Sequence, residues 1–324
     1  MPATPLPNTL GAAFGVGEAR QAGVSAGRLR AKDLEAPHRG VRMRRTEPAA
    51  SVDDSPLARD RLVRARVMRK VAAYEEIRRP HAFYLGRTAV AIYDRLFDDD
   101  SGDGPLMVAV FAPHRAPRCR GVRGVQSVPG LTTLRHVGGL PVASPASVWA
   151  GLAEELGLRA LIRLGDALVR IPRGDGGAPL PHAQLATIGQ LQAAAEAPRR
   201  RARHVLEHAL RYIRVGSMSV METDFRVDAQ DAGLPEPQLD VEIRDAGGRL
   251  LGIADAAYPE FRVLVEVEGQ QHRTSDDQWE RDLTKHAAYA AAGWEVVRVT
   301  GRRVRRGQAV PLVRAVLRRH GWEG

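Results

Sequence analysis

The sequence predicts an α/β protein whose C-terminal part is a mixed sheet flanked by helices and whose N-terminal part is an α+β region. Two apolar segments, 250–256 and 262–268, alternate with a period of two residues, as half-buried strands do. A helical pattern follows over 275–293, and 294–299 has the pattern of a further strand. A strand–helix–strand unit pairs its strands in parallel, whereas the turn at 258–260 makes the first pair antiparallel. The predicted sheet is therefore mixed.

The chain has 324 residues, which is enough for about two domains that each bury a core. Shifts in composition divide it further. The predicted parts are a small N-terminal segment (1–50), an α+β middle domain (51–172), a linker with a helical arm (173–214) and the C-terminal domain (215–324).

The N-terminal segment has the pattern of a small helical hairpin followed by a strand. A short helix leads to a turn at 23–27, where Ser25 can cap a second helix that passes through Leu29 and Leu34, and 39–43 is a strand. This order resembles a truncated winged helix-turn-helix of the kind found in abortive-infection-type antitoxins, although any small helical hairpin gives the same pattern.

The middle domain alternates helical and strand-like stretches. We predict a helix over 58–77, a strand over 106–112 and a helix over 146–155. Asp166 ends an apolar run, and we interpret it as a structural acid. Gly and Pro break the pattern at 173–181, and a helical arm follows that is interrupted at Pro198.

Three carboxylates lie on the two apolar strands of the C-terminal domain. Glu266 and Glu268 share one strand face, with their Cβ atoms about 7 Å apart. The Tyr258-Pro-Glu turn folds the preceding strand back, so Asp255 comes beside Glu266. Buried like charges are costly unless a cation lies between them, and oxygen ligands suit a divalent cation. The alternative is an exposed polar face whose acids solvate the sheet.

Taken together, these features resemble the PD-(D/E)XK nuclease superfamily, and within it the proteins similar to very-short-patch-repair endonucleases. The resemblance covers about 219–300. It rests on Asp255, the Tyr-Pro turn, the Glu-x-Glu-Gly-Gln-Gln-His strand end, the helix with Trp279, Arg281, Asp282 and Lys285, and the closing Ala-Gly-Trp-Glu-Val-Val-Arg-Val strand. It implies a restriction-endonuclease-like core in which Asp255 and Glu266 bind Mg²⁺ or Mn²⁺. We predict that Glu268, on the same strand face, completes the metal site. Many members carry lysine at position 268, so that lysine's role is unassigned here.

Three further residues are candidates for the same site. His272 follows the acidic strand and titrates near neutral pH. Lys285 is one of three lysines in a chain with 48 Lys plus Arg. Glu222 opens a helix behind Ser219, and the resemblance implies a metal role for it, whereas a capping box gives it a sufficient local role.

The chain is basic, with a formal net charge of +10, which favours an acidic polymer such as DNA as the partner. Its arginines cluster on both sides of the acidic strands. The clusters are Arg199, Arg200, Arg201, Arg203, Arg211 and Arg214 on one side and Arg298, Arg302, Arg303, Arg305, Arg306, Arg314, Arg318 and Arg319 on the other. Such clusters bind phosphates without reading sequence. Alternatively, they are a solvated surface that reflects biased composition.

The single cysteine, Cys119, excludes an internal disulfide framework, and no zinc-ligand spacing is present. With no apolar run of 18 residues and no signal-like start, we expect a cytoplasmic protein without membrane contact or organic cofactor. The sequence thus predicts a Mg²⁺-dependent DNA endonuclease of repair or phage defence. The alternative is a DNA-binding regulator or antitoxin-like protein with an inactive nuclease core.

Overall fold

Strands and helices alternate along most of the chain, which confirms the predicted α/β class. The computed structural model describes residues 4–45, 58–95, 104–174, 176–268 and 276–324, without the side chains of 58, 59 and 276–283. The chain divides into two units, Met1–Leu152 and Ala153–Gly324. No helix in the described ranges combines the length and the apolar character needed to cross a membrane.

The first unit contains two sheets. Its strands are β1 (Ala13–Gly15), β2 (Leu34–Glu35), β3 (Val41–Arg44), β4 (Phe83–Tyr84), β5 (Leu106–Phe111), β6 (Val122–Ser127), β7 (Leu134–Val137) and β8 (Leu140–Ala143). Its helices are α1 (Val16–Gln21), α2 (Ala58–Glu75), α3 (Gly86–Ile92) and α4 (Pro145–Gly151). The small sheet has the order β1-β3-β2 and is antiparallel, and the larger sheet is mixed, with the order β6-β5-β4-β8-β7.

The predicted second helix of the N-terminal segment is wrong. Ser25 Oγ accepts from the Arg28 amide at 3.2 Å, as predicted for a cap, but the helix stops after one 3₁₀ turn, Arg28–Arg30. Arg28 binds Asp33 through two hydrogen bonds, and Leu34 pairs with β3 as a strand. Pairing with β3 therefore overrides the local helical pattern.

The second unit is built around one four-stranded sheet. Its strands are β9 (Gln238–Arg244), β10 (Leu250–Tyr258), β11 (Val263–Glu268) and β12 (Glu295–Thr300). Its helices are α5 (Leu158–Val169), α6 (Ile188–Glu196), α7 (Arg203–Leu210), α8 (Val220–Asp231), α9 (Asp276–Ala291), α10 (Gly301–Arg305) and α11 (Ala309–Arg319). The order is β12-β11-β10-β9, with β11 and β12 parallel and the other pairs antiparallel. The predicted hairpin and the strand–helix–strand unit are both confirmed.

Helices cover both faces of this sheet. On one face Val263 and Val265 pack in a cluster with Phe225 of α8 and Val313 of α11. On the other, Leu264 packs with residues that include Tyr289 of α9. Glu266 and Glu268 follow Leu264 on this second face, so α9 covers the acids that the alternation had placed on a half-exposed surface.

The boundary between the units lies about 20 residues before the predicted one, because α5 is tied to α8. Arg163 of α5 makes two hydrogen bonds to Asp224, at 2.7 and 2.6 Å. Asp166 is 1 % exposed and accepts from Arg226 Nη2 at 2.6 Å and from Thr223 Oγ1 at 2.9 Å. Asp166 is thus a structural acid that fixes α8, and the predicted linker and arm over 173–214 belong to the second unit.

Candidate active site

Three carboxylates lie side by side across β9, β10 and β11. Asp255 lies between Ala254 and Ala256, which pair with Val241 and Leu239, so it is level with Asp240 on β9. The β10–β11 register, continued by one residue from the pair Ala256–Val265, puts Asp255 opposite Glu266. The structure thus brings together the two acids that the predicted hairpin placed side by side.

Asp240 is a member of this row that the sequence analysis missed. Its φ of +53° is in the left-handed region, which Asp tolerates better than most residues. Arg173 binds it through Nε at 2.8 and 2.9 Å and reaches Glu242 at 3.2 Å. The available signal was Asp240 and Glu242 alternating with apolar residues, the pattern that identified Glu266 and Glu268.

Asp255 lies just beyond the paired residues of β10 and β11, and its side chain accepts a hydrogen bond of the kind that a backbone carbonyl accepts within the sheet. Its Oδ2 accepts from the backbone amide of Val267 at 2.7 Å. Burial raises the pKa of Asp255 to about 6; the Val267 amide opposes this rise, and the Glu266 carboxylate adds to it. Asp255 is therefore a carboxylate held in an environment that disfavours its charge.

Both oxygens of Glu266 have partners on α9. Lys285 Nζ lies 2.6 Å from Oε1, and His286 Nε2 lies 3.0 Å from Oε2. Burial alone would raise the pKa of Glu266, but His286 and Lys285 outweigh it and hold that pKa below its ordinary value. Glu266 is thus ionised, and its charge is balanced from the helix.

Lys285 enters the site because Gly252 leaves room for it. Its Nζ also donates to the Ile253 carbonyl at 3.1 Å. A Cβ at residue 252 would lie 2.8 Å from Lys285 Cε and would also collide with Tyr289 Oη. The structure therefore places Lys285 in the site and adds His286, which the sequence analysis missed although it is the next residue. His272 lies outside the described residues.

Glu222 lies in the first turn of α8, where the sequence left a capping role and a metal role open. Ser219 Oγ accepts from the Glu222 amide at 3.2 Å, as in a capping box, but Glu222 Oε2 accepts from the amide of Met218 at 2.7 Å rather than that of Ser219. Burial, and after it the charge of Asp255, raises the pKa of Glu222 to about 8. The electrostatic contact with Asp255 makes Glu222 part of the acidic group.

Glu268 is engaged in a different way. It points to the same sheet face as Glu266, but its Oε1 is bound by Arg298 Nε, from the neighbouring strand β12. Many proteins of the superfamily that the sequence resembles carry lysine at the position of Glu268. Here that residue is a glutamate in an ion pair with Arg298. Its assignment as a metal ligand stays a prediction.

The donor atoms suit a hard divalent cation, since Asp240, Asp255, Glu266 and Glu222 all offer carboxylate oxygens. The described residues nevertheless contain no preassembled group of three or more His, Cys, Asp or Glu in a metal-binding arrangement. A cation on Glu266 would share that carboxylate with Lys285 or His286. The carboxylates of Asp255 and Glu266 are suitable ligands for such a cation, but both oxygens of Glu266 already contact Lys285 and His286.

The predicted DNA-binding arginines fall into two groups. Arg302, Arg303, Arg305 and Arg306 are exposed and follow directly after β12, beyond the strand end that carries Thr300. Arg200, in contrast, is half-buried, donates from Nε to the Ala194 carbonyl at 3.0 Å, and has a pKa lowered by burial. Arg203 is exposed but pairs with Glu207 at 2.7 Å. Only the C-terminal group is open to a ligand.

Comparison with known proteins gives a limited likeness. No protein-family profile and no solved structure matches the chain. Uncharacterized proteins of Mycobacterium tuberculosis, from strain CDC 1551 / Oshkosh and from strain H37Rv, are each 33% identical to it over 88 residues. The match covers 27% of this chain and 32% of each relative. The chain thus aligns with about a third of the length of the curated relatives that it resembles.

Proposed function

We propose that the second unit is a Mg²⁺- or Mn²⁺-dependent phosphodiesterase that cleaves DNA. The observation that carries this proposal is the pairing of Asp255 with Glu266 on adjacent strands, beside Glu222. The raised pKa values of Asp255 and Glu222 mark carboxylates that lack sufficient positive charge nearby. A divalent cation would supply that charge.

In this proposal Asp255 and Glu266 hold the cation, and Glu222 and Asp240 stand next to them. When bound, the cation lowers the pKa of the attacking water and neutralises the scissile phosphate. Lys285, held between Glu266 and the Ile253 carbonyl, is the cationic side chain available to a phosphate oxygen. It would serve in place of the lysine missing at 268. His286, on Oε2 of Glu266, is the imidazole that could act as a general acid or base.

The C-terminal arginines would position the DNA backbone. Arg302, Arg303 and Arg306 are exposed and make no side-chain hydrogen bond or ion pair with the described residues. Guanidinium groups bind phosphates without discriminating between base sequences. The parallel strands β11 and β12 end where these arginines begin, so phosphates held there would lie at the acidic end of the sheet.

A cleavage assay tests the proposal. Purified protein is incubated with Mn²⁺ or Mg²⁺ and with single-stranded, duplex, nicked and mismatched DNA. Asp255→Asn and Glu266→Gln should each reduce cleavage by more than about 100-fold, because each removes a cation ligand. Glu260→Gln, an exposed acid on the turn after β10, is the matched control and should cleave normally. Absence of metal-dependent cleavage on all four substrates would contradict the proposal.

One observation favours a second candidate, a DNA-binding protein with an inactive core. Lys285 and His286 already contact both oxygens of Glu266, and Arg298 binds Glu268. The charges of Glu266 and Glu268 are thus balanced from within the chain. Calorimetric titration with Mn²⁺ separates the two candidates: the phosphodiesterase binds Mn²⁺ and loses that binding in Asp255→Asn. A regulator binds DNA without Mn²⁺ and loses sequence-selective binding when residues 1–50 are deleted.

A further inference from the structure

A cavity of about 720 Å³ opens in the first unit, in the volume range of small-molecule sites. It lies between the end of α2, β5 and the loop that connects β5 to β6. Its lining includes Tyr74, Ile77, Val110 and Pro117 as apolar contacts. This cavity is remote in sequence from the acidic site and has no role in the proposed cleavage.

Three arginines give the cavity its charge. Arg79, Arg115 and Arg118 line it, are exposed, and make no hydrogen bond or ion pair with their side chains inside the described part of the chain. The lining residues include no carboxylate. The sequence from 104 to 153 also contains no Asp or Glu, so β5, β6 and the loop between them contribute positive but no negative side chains to the wall.

Two histidines form a flat surface at the same place. The rings of His81 and His114 are stacked, with centroids 3.6 Å apart and planes 10° apart. His81 lines the cavity, and its Nε2 is shielded from solvent without a hydrogen-bond partner among the described residues. The cavity thus has an imidazole ring, that of His81, in its wall beside the arginines.

The loop that carries Arg115 and Arg118 is held against β6 rather than projecting from it. A Cβ at Gly124 of β6 would lie 2.9 Å from the Pro117 nitrogen and would collide with the Pro117 carbonyl oxygen, so only glycine allows this approach. Gln126 Nε2 donates to the His114 carbonyl at 3.0 Å. The positions of the arginine backbones are therefore fixed before a ligand binds.

We propose that this cavity binds an organic phosphate of nucleotide size, either a free nucleotide or the end of a nucleic-acid strand. Arginine guanidinium groups bind phosphate through paired hydrogen bonds. The apolar wall at Tyr74 and Ile77 and the stacked imidazoles suit a planar base. The cavity is too large for a phosphate ion alone, and its charge excludes a cationic ligand.

The single cysteine gives a reporter inside the cavity. Cys119 lines it and is partly exposed, and no other thiol is present in the chain. The rate at which N-ethylmaleimide alkylates Cys119 is measured by mass spectrometry on the full chain, with EDTA present to prevent cleavage. The probes are thymidine 5′-monophosphate, a 5′-phosphorylated oligothymidylate, thymidine and inorganic phosphate.

Thymidine 5′-monophosphate or the phosphorylated oligothymidylate should slow the alkylation of Cys119 in a saturable way, whereas thymidine should not. Arg115→Gln with Arg118→Gln should raise the half-protecting concentration by about 10-fold or more, since two of the guanidinium groups that would bind the phosphate are lost. Arg20→Gln with Arg30→Gln removes the same charge from exposed positions elsewhere in the unit and should leave protection unchanged.

The four probes also identify the source of the phosphate. Protection by the mononucleotide supports a free-nucleotide site, and protection by the oligonucleotide alone supports a strand end. Failure of both to protect Cys119, or equal protection in the double arginine variant, would overturn the proposal. Because no metal is present and no cleavage is measured, the result does not depend on the activity of the second unit.

Discussion

At the level of single residues, the acidic site combines two carboxyl groups of raised pKa with one of lowered pKa. Partial burial raises the pKa of both Asp255 and Glu222, and the charge of Asp255 adds to the rise at Glu222, whereas Glu266 is balanced by Lys285 and His286. Sequence alternation and the turn at 258–260 were sufficient to place Asp255 beside Glu266. The alternation could not predict the position of Lys285, because Lys285 fits beside β10 only where residue 252 is a glycine.

Glu222 should make stability depend on pH. Its pKa rises from 4.5 to about 8 on folding, so between these values the folded chain holds a proton that the unfolded chain has released. The free energy of unfolding should therefore fall as pH rises through this window. In Glu222→Gln this fall should be smaller by on the order of 2 kcal/mol.

Urea unfolding of the two proteins at pH 5 and pH 8 measures this difference. Glu260→Gln serves as the control and should follow the wild type. Equal pH dependence in wild type and Glu222→Gln would show that Glu222 is charged in the folded chain.

Gly252→Ala should remove Lys285 from the site. The added Cβ occupies the space of Lys285 Cε and Tyr289 Oη, so these side chains have to move, at a cost of about 1–3 kcal/mol in unfolding free energy. If Lys285 contacts the scissile phosphate, the rate of DNA cleavage should also fall in this variant. Gly157→Ala, where nothing lies within 4 Å of the new Cβ, is the control. Normal cleavage by a folded Gly252→Ala protein would exclude a role for Lys285.

At the level of elements, α8 is the part that connects the acidic site to the rest of the unit. Its N-terminus carries Glu222, and its buried face carries Arg226, which pairs with Asp166 of α5. The division at 152 differs from the predicted boundary at 172, because the charged residues of α5 pair with partners about 60 positions later. Such long-range pairing has no local pattern.

Replacing Arg226 by Ala should strongly destabilise the second unit. Both partners of the Arg226–Asp166 pair are nearly inaccessible, at 2% and 1% exposure, so the substitution leaves an unpaired buried carboxylate. We expect a loss of about 3–5 kcal/mol in unfolding free energy. Arg159→Ala breaks a more exposed pair with Asp228, and should cost about 1 kcal/mol or less. Denaturant unfolding compares the two, and equal losses would contradict this account.

At the level of the whole molecule, the predicted α/β class was confirmed, and the hairpin and the strand–helix–strand unit followed from periodicity together with the turn at 258–260 and the helix start and stop signals. The winged-helix-like start was not reproduced, because residues 34 and 35 pair with β3 instead of continuing a helix. Asp240 was missed although it alternates with apolar residues, and its left-handed backbone and its contact with Arg173 have no local pattern in the sequence. Local pattern therefore predicts elements, whereas contacts between distant segments decide which acids meet.

We expect only some of the arginines of this basic chain to contribute to DNA binding. Changing Arg302, Arg303, Arg305 and Arg306 together to Gln should weaken binding to every DNA sequence and reduce the salt slope by up to about 0.9 for each lost phosphate contact. Arg200→Gln should change neither, since that side chain is half-buried against the Ala194 carbonyl. Fluorescence anisotropy over a range of salt concentrations measures both. An unchanged slope in the fourfold variant would show these arginines to be ordinary surface.

The hydrogen bond from the Val267 amide to Asp255 ties one backbone proton to the chemistry of the acidic site. Within a sheet such a proton normally exchanges at a rate set by the opening of the strands. Here its acceptor is a side chain that can take up a proton or bind a cation, and either event changes the hold on the Val267 proton. The nitrogen–hydrogen NMR signal of Val267 is consequently a built-in indicator, able to register the state of the carboxylates without substrate, label or turnover.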